Sequence, residues 1–282
     1  MIITIALACV AVLLALAAVA VVIGHRPATT PMIYAGCLAA VVPPFFAAVI
    51  HLVGQGSPVG TTLPLGLPWI GAHFRIDALS AFFLAVVDLG AAGASLFALG
   101  YGRHEEEPLR VLPFYPAFLA GMNLVVLADD AFTFLLSWEF MSLSSWALVM
   151  AHHRECENAR AGYVYLVMAS FGTLALLLGF GLLAGPEGGY AFAEIRAAHP
   201  AAAIGALVLV LALIGAGSKA GLVPLHVWLP LAHPAAPTPV SALMSGVMTK
   251  VAVYGFVRLV FDLLGAPGGG ASWCSRLPGS QP

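Results

Sequence analysis

Lysine occurs twice in this chain, and both copies stand among residues that belong in hydrocarbon: Lys219 in GAGSKAGLVPLHVW (215–228) and Lys250 in SGVMTKVAVYG (245–255). A third ionisable group, Glu139, lies in FLLSWEFMSLSSWALVM. On insertion scales each such group costs about 2.5 to 3.5 kcal/mol at the centre of a span, so three left unpaired would cost about 10 kcal/mol, comparable to the net stability of a whole domain. They need compensation, and Glu139 with Lys219 is the expected pair. As a staple such a pair is poor, because a buried ion pair seldom outperforms an apolar replacement. As a relay it is apt: burial disfavours a lysine's charged form and a nearby carboxylate favours it, so making and breaking the pair moves a proton near neutral pH. His226 and His233 follow Lys219 and titrate in the same range. His226, seven residues on, is the stronger candidate to pass a proton onward; His233 is as well explained by a bond to a nearby carbonyl.

The elements that must position these groups are membrane helices. The 282 residues are 61% hydrophobic and 9% charged, with a mean hydropathy of +0.99, and a helix of about 20 apolar residues crosses a core of roughly 30 Å. The expected fold is an all-α polytopic membrane protein of about eight spans, with no room for a soluble domain. The formal charge of -2 and the lack of a basic run give no grip on nucleic acid. Cys9, Cys37, Cys156 and Cys274 form no CxxC pair and no spacing for zinc or an iron–sulfur cluster, so no cofactor is expected and any redox chemistry belongs to a partner.

Apolar runs place spans near 1–24, 31–53, 78–101 (broken by Asp88), 111–128, 131–151 and 161–185. The first lacks a basic leader and is too long for a signal-peptide core, so it reads as a retained span. Residues 54–77, rich in Gly, Pro and Thr, read as an ordered extramembrane loop that can form a hairpin, and GPEGGYAFAEIRAAHP after 185 as a short interfacial helix. The stretch from Ala201 to Ala236 would run about 54 Å as one straight helix, well beyond a bilayer core, so it must break, with Gly215, Gly217, Gly221 and Pro224 marking where. Unwound backbone at that depth is tolerated only in a protein-lined or hydrated setting, and discontinuous helices mark transporters. The last span is expected from Val240 to Leu264. Lys250 then sits about 15 Å and Glu139 about 12 Å into their spans.

Arg26, Arg103, Arg110, Arg154 and Arg160 fall on one side, against Arg75 and Arg196, with Arg258 and Arg276 at most added; this places the N-terminus outside. His152, His153, Cys156 and Glu157 crowd one turn, a weak metal candidate against the ordinary gathering of polar residues at an interface. Asp88 either faces a polar pocket or reaches a neighbouring amide. The Met and aromatic residues of WEFMSLSSWALVM read as packing.

LLSWEFMSLSSWALVM and GSKAGLVPLHVWLPLAHPAAPTPVSALMSGVMTKVAVYGFVRL resemble the antiporter-like subunits of respiratory complex I and of Mrp antiporters, over nearly everything to Trp273. The likeness is strongest to the branch that holds the B-type membrane component of hydrogenase-4 and its formate hydrogenlyase counterpart. The resemblance implies the first half of an inverted-repeat fold: a three-span segment at 1–110, then a five-helix repeat at 111–265 (spans four to eight) with one discontinuous helix. The family's proton path falls on Glu139, Lys219 and Lys250, with His226 between the lysines. Leu231 stands where complex I relatives often carry an acid, as in the hydrogenase branch. The implied role is a proton-translocating, non-catalytic subunit of a hydrogenase, formate hydrogenlyase or NADH:quinone oxidoreductase-like assembly in the inner (plasma) membrane. Its partners would be further membrane subunits and hydrophilic subunits that carry out the redox chemistry. An Mrp-type cation/proton antiporter subunit and a structural scaffold are the alternatives. Relatives continue with further spans, so residues 266–282 read as a truncated or frame-shifted tail.

Overall fold

The computed structural model describes residues 1–265 except 27, 67–70, 103, 104, 106, 187 and 199. The expectations placed on Arg103, Cys274, Arg276 and the 266–282 tail lie outside the described residues. Among the described residues, eight helical segments are long and apolar enough to cross a membrane. The first three are α1 (Ile2–Ile23), α2 (Thr29–Val53) and α3 (Ala78–Tyr101). The fourth combines a single turn, α4 (Pro108–Val111), with α5 (Phe114–Leu127); the fifth and sixth are α6 (Ala131–Val149) and α7 (Cys156–Ala184). The seventh is broken, and the eighth, Thr238–Leu263, mixes α and π turns. The chain is thus a multi-pass helical membrane protein, as its composition demands.

Boundaries follow local chemistry. Asp77 caps α3 by accepting from the Ser80 amide while Ser80 Oγ accepts from the Asp77 amide, and Asp130 caps α6 through the Thr133 amide at 2.7 Å; each satisfies an amide the first turn leaves free. The expected loop at 54–77 is a two-stranded antiparallel hairpin, β1 (Val59–Leu63) with β2 (Ala72–Ile76), Val59 opposite Ile76. The interfacial helix is α8 (Phe192–Ala197). The turn between α5 and α6 joins both: Asp129 donates its amide to His73 O, and Phe192 donates to Asp129 O.

Hairpin, α5–α6 turn and α8 gather at one end of the bundle, where a network of ion pairs ties the last span down. Arg258 makes two bonds to Asp77 (2.6 and 2.8 Å) and one to Asp262 (2.9 Å). Arg196 grips Asp262 at 2.8 and 2.9 Å and reaches Asp129 at 3.5 Å, with Arg75 3.9 Å from the same carboxylate. Burial works against the charge on Asp77, but the hydrogen bonds and charge of Arg258 win and hold its carboxyl well below the usual range. Burial wins at Asp129, whose carboxyl is raised despite Arg196 and Arg75. Arg196, pulled down by burial, is raised on balance by its bonds to Asp262.

The seventh span corrects the expected break. Helix α9 (Ala202–Ala220) runs unbroken through Gly215 and Gly217. At Gly215 the missing side chain serves packing: a Cβ there would come 2.6 Å from Leu176 Cγ and 2.8 Å from Gly172 O on α7, so its absence lets two backbones close up. The chain breaks only at Gly221, which is left-handed (φ +82°) and returns its amide to Gly217 O. Pro224, with no amide to continue the ladder, follows; a 3-10 turn (Leu225–Trp228) and α10 (Leu229–Ala235) complete the span. The eighth span starts two residues earlier than expected: α11 (Thr238–Leu243), a π turn (Met244–Met248), α12 (Thr249–Val257) and a second π turn (Arg258–Leu263).

Candidate functional site

Lys219 occupies the last turn of α9, where a cation is favoured by the free carbonyls of a helix end. It is 3% exposed. Its Nζ donates to Ser142 Oγ at 2.6 Å and to Tyr165 OH at 3.1 Å, and stands 5.2 Å from the Tyr165 ring centroid. Ser145 Oγ lies 2.6 Å from the same phenol, and Trp228 packs edge-on against the ring while its Nε1 donates to Ser218 O at 2.7 Å. That last bond satisfies a carbonyl the break would otherwise strand. The result is a polar nest closed by α6, α7, α9 and the 3-10 turn.

The expected Glu139–Lys219 ion pair is not formed. Glu139, half-buried on α6, accepts from Thr173 Oγ1 of α7 at 2.7 Å instead. The reason is rotation about α6: Ser142, one turn on, presents its hydroxyl to the lysine first, while Glu139 is claimed by the threonine. The compensation expected from a carboxylate comes from two hydroxyls and a ring face. Ser142, Ser145 and Tyr165 are not conspicuous in the sequence, where uncharged hydroxyls are common in helices. The available signal is Glu139, Ser142 and Ser145 at spacings of three, one face of a helix.

Lys250 sits about 18 Å along the last span from Thr238, on an exposed face of this chain. Its Nζ donates to Ser245 O at 2.8 Å and approaches Thr249 Oγ1 at 3.3 Å, both on its own span. His233 lies 2.8 Å from Ser241 Oγ, and Ser245 Oγ donates to Ser241 O at 3.1 Å. Ser241 and Ser245 thus stand one turn apart between His233 and Lys250, but the contacts from Ser245 and from Lys250 go to main-chain carbonyls and not from hydroxyl to hydroxyl. His233 contacts a hydroxyl and not a carbonyl. His226 is half-buried with a buried Nδ1 that has no hydrogen-bond partner among the described residues.

The remaining sequence candidates are engaged elsewhere. His152 Nε2 lies 2.8 Å from Glu105 Oε1, Arg110 Nη1 lies 2.7 Å from His153 Nδ1, and Arg154 pairs with Glu107. Among the described residues no trio of His, Cys, Asp or Glu is arranged to hold a metal ion. Asp88 does reach a neighbouring amide, that of Asn123 at 3.2 Å.

A bundle of eight spans with one helix broken beside a buried lysine, and a second lysine at mid-span, defines an antiporter-like membrane subunit. Residues 128–272 match the family described as NADH:quinone oxidoreductase/Mrp antiporter, transmembrane, and the chain belongs to it. Among its relatives are an uncharacterized protein of Mycobacterium tuberculosis (strain CDC 1551 / Oshkosh), 42% identical over 77% of this chain and 34% of that protein, and hydrogenase-4 component B of Escherichia coli (strain K12), 39% identical over 69% of this chain and 29% of that protein. The solved Mrp complex from Dietzia sp. DQ12-45-1b superposes with a TM-score of 0.77 at 29% identity, covering 93% of this chain and 48% of that one. The chain spans about a third of the length of these two curated relatives.

Proposed function

We propose that this chain supplies the first half of a proton-translocating membrane subunit in a hydrogenase, formate hydrogenlyase or complex I-like assembly. Its relay comprises Glu139, Lys219, His226, His233 and Lys250. The observation that carries the reading is Lys219, buried at a helix break and held by groups that can each give or take a hydrogen bond. Ser142 and Tyr165 accept from its ammonium and, by turning their hydroxyl protons, can donate to a neutral amine, so both protonation states are accommodated. A proton entering near Glu139 and Thr173 reaches the nest and leaves through the broken segment, where His226 and His233, with Ser241 and Ser245, lie between it and Lys250. That lysine, facing outward from this chain, is placed to hand the proton to protein packed on the same face. The unit 111–265 is the repeat, and 1–110 supports it. The N-terminus faces outside the plasma membrane on the count of basic residues: Arg26, Arg110, Arg154 and Arg160 lie at the end opposite the hairpin, against Arg75, Arg196 and Arg258 at the hairpin end. Hydrogen, formate or NADH oxidation would belong to hydrophilic partner subunits.

Moving one charge against 100 mV takes about 2.3 kcal/mol, which the relay must transmit. In the complete assembly, reconstituted in vesicles, Lys250→Ala or Glu139→Ala is expected to abolish proton pumping and to leave hydrogenase turnover with an artificial acceptor largely intact. Unchanged flux in either variant sinks the relay. The likeness to the Mrp complex favours a second reading, a cation/proton antiporter subunit; flux driven by a sodium gradient in vesicles without any redox substrate would select it.

A further inference from the structure

Asp88 takes no part in that relay. It lies about 15 Å along α3 from Ala78, at the centre of the span, and is 0% exposed. Its Oδ1 accepts from Asn123 Nδ2 of α5 at 3.2 Å, an amide that also donates to Leu119 O at 3.0 Å. Its Oδ2 is buried with no hydrogen-bond partner among the described residues. No Lys, Arg or His among the described residues lies within ion-pair distance of it, whereas Asp77, Asp129 and Asp262 each have an arginine. On the elements packed against α3, α5 offers Asn123 and Tyr115, the latter on Ser95, α2 carries Tyr34, Cys37 and His51, and β2 carries His73 and Arg75, which lie by Asp130 and Asp129, while Cys9 of α1 is within electrostatic reach. On the last span Tyr254 is committed to Val126 O, Lys250 to Ser245 O and Arg258 to Asp77. None compensates a charge on Asp88.

We infer that Asp88 is a second intramembrane proton-binding site, with its proton held on Oδ2 and the Asn123 amide on Oδ1. Two costs decide it. An ionised carboxylate without a counter-charge at this depth costs several kcal/mol even after relaxation. A neutral carboxyl whose hydroxyl lacks a partner costs about 1 to 3 kcal/mol. The seam continues two turns along α3 with Ser95 Oγ 3.0 Å from Tyr115 OH, but seven residues set that rung about 10 Å away along the axis, too far for direct transfer. Asp88 therefore stores a proton and does not conduct one along this seam.

The test uses the full chain labelled with carbon-13 aspartate in lipid nanodiscs, read by infrared spectroscopy at neutral pH. The expected spectrum contains the carbonyl stretch of a protonated aspartic acid, lost in Asp88→Asn and shifted in Asn123→Ala. Asp88→Asn keeps the size and the acceptor, so it should unfold at no lower a temperature than the wild type at neutral pH. The wild type should lose stability relative to the variant as pH rises above the ordinary carboxylate range, because folding keeps a proton that the unfolded chain releases. Loss of an ionised carboxylate band in Asp88→Asn, absence of any protonated aspartate band in the wild type, or a band that responds to replacing sodium by choline would overturn the inference. If Asp88→Asn fails to fold, the wild-type band and its shift in Asn123→Ala decide alone. No flux is measured, so failure here leaves the relay untouched, and failure of the relay leaves this site standing.

Discussion

Lys219 and Lys250 are the same residue near the middle of successive spans, yet one is enclosed and the other open. Lys219 is surrounded by α6, α7 and the broken helix, with hydroxyls from two other elements on its ammonium. Among the described residues Lys250 finds partners only on its own span, Ser245 O and Thr249 Oγ1, and otherwise it is exposed. The first site is thus completed by this chain alone. The second needs a surface that packs on α12, since an exposed ammonium at that depth cannot be left to lipid.

The largest effect is expected from Lys219→Met in the complete assembly. It should abolish proton flux in vesicles with an imposed gradient, and any flux above protein-free vesicles would show that the enclosed site is not on the path. Next comes the ion-pair network at the hairpin end. Arg258→Ala strands Asp77 and leaves Asp262 with Arg196 alone, and is expected to cost about 3 to 5 kcal/mol of stability in a detergent unfolding titration. Ser142→Ala should cost about 1.5 to 3 kcal/mol of what holds the charged lysine, the usual worth of a hydrogen bond to an ion. It should slow proton flux without abolishing it, because Tyr165 remains.

Acid supplies a smaller test. Folding holds the Asp77 carboxyl below its ordinary value, so its contribution is present above the unfolded value of about 3.9 and is lost as pH falls below it toward the folded one. Asp77→Asn should flatten that part of the stability curve below about pH 4. The smallest loss is expected at Lys250: in the isolated chain Lys250→Ala should not lower stability, because it removes an ammonium for which this chain supplies no counter-charge, although the same change stops pumping in the assembly. A large loss in the isolated chain would erase the distinction between enclosed and open lysines.

Thiol labelling checks the corrected break. Ser218 is buried against α7 with its hydroxyl on Met168 O, while Val223 is 80% exposed. A cysteine at 223 should react with a water-soluble reagent and one at 218 should be protected, although both lie within the segment that the glycine pattern marks as open.

Much of the fold is legible in the sequence because hydrocarbon imposes a length and a polarity rule on every span, and a single sequence reports both. Eight spans, a hairpin in the 54–77 loop, a short helix after 185 and a break beside Lys219 all follow from runs of apolar residues and from Gly and Pro. The sequence alone also isolates Glu139, Lys219 and Lys250, because ionisable residues in such runs are conspicuous. It cannot decide which of them touch. Each residue turns a helix by about 100°, so a small change in how α6 lies against α7 decides whether Glu139 or Ser142 meets Lys219, and whether Lys250 looks inward or out. Gly215 reads as a breaker until α7 is beside it; close packing, and not backbone freedom, is its use. Asp88 is, in sequence, one carboxyl with two readings. Only the tertiary structure shows an amide on one oxygen and, among the described residues, nothing on the other and no counter-charge within reach, and it is that environment, not the residue type, on which the inferred proton site rests.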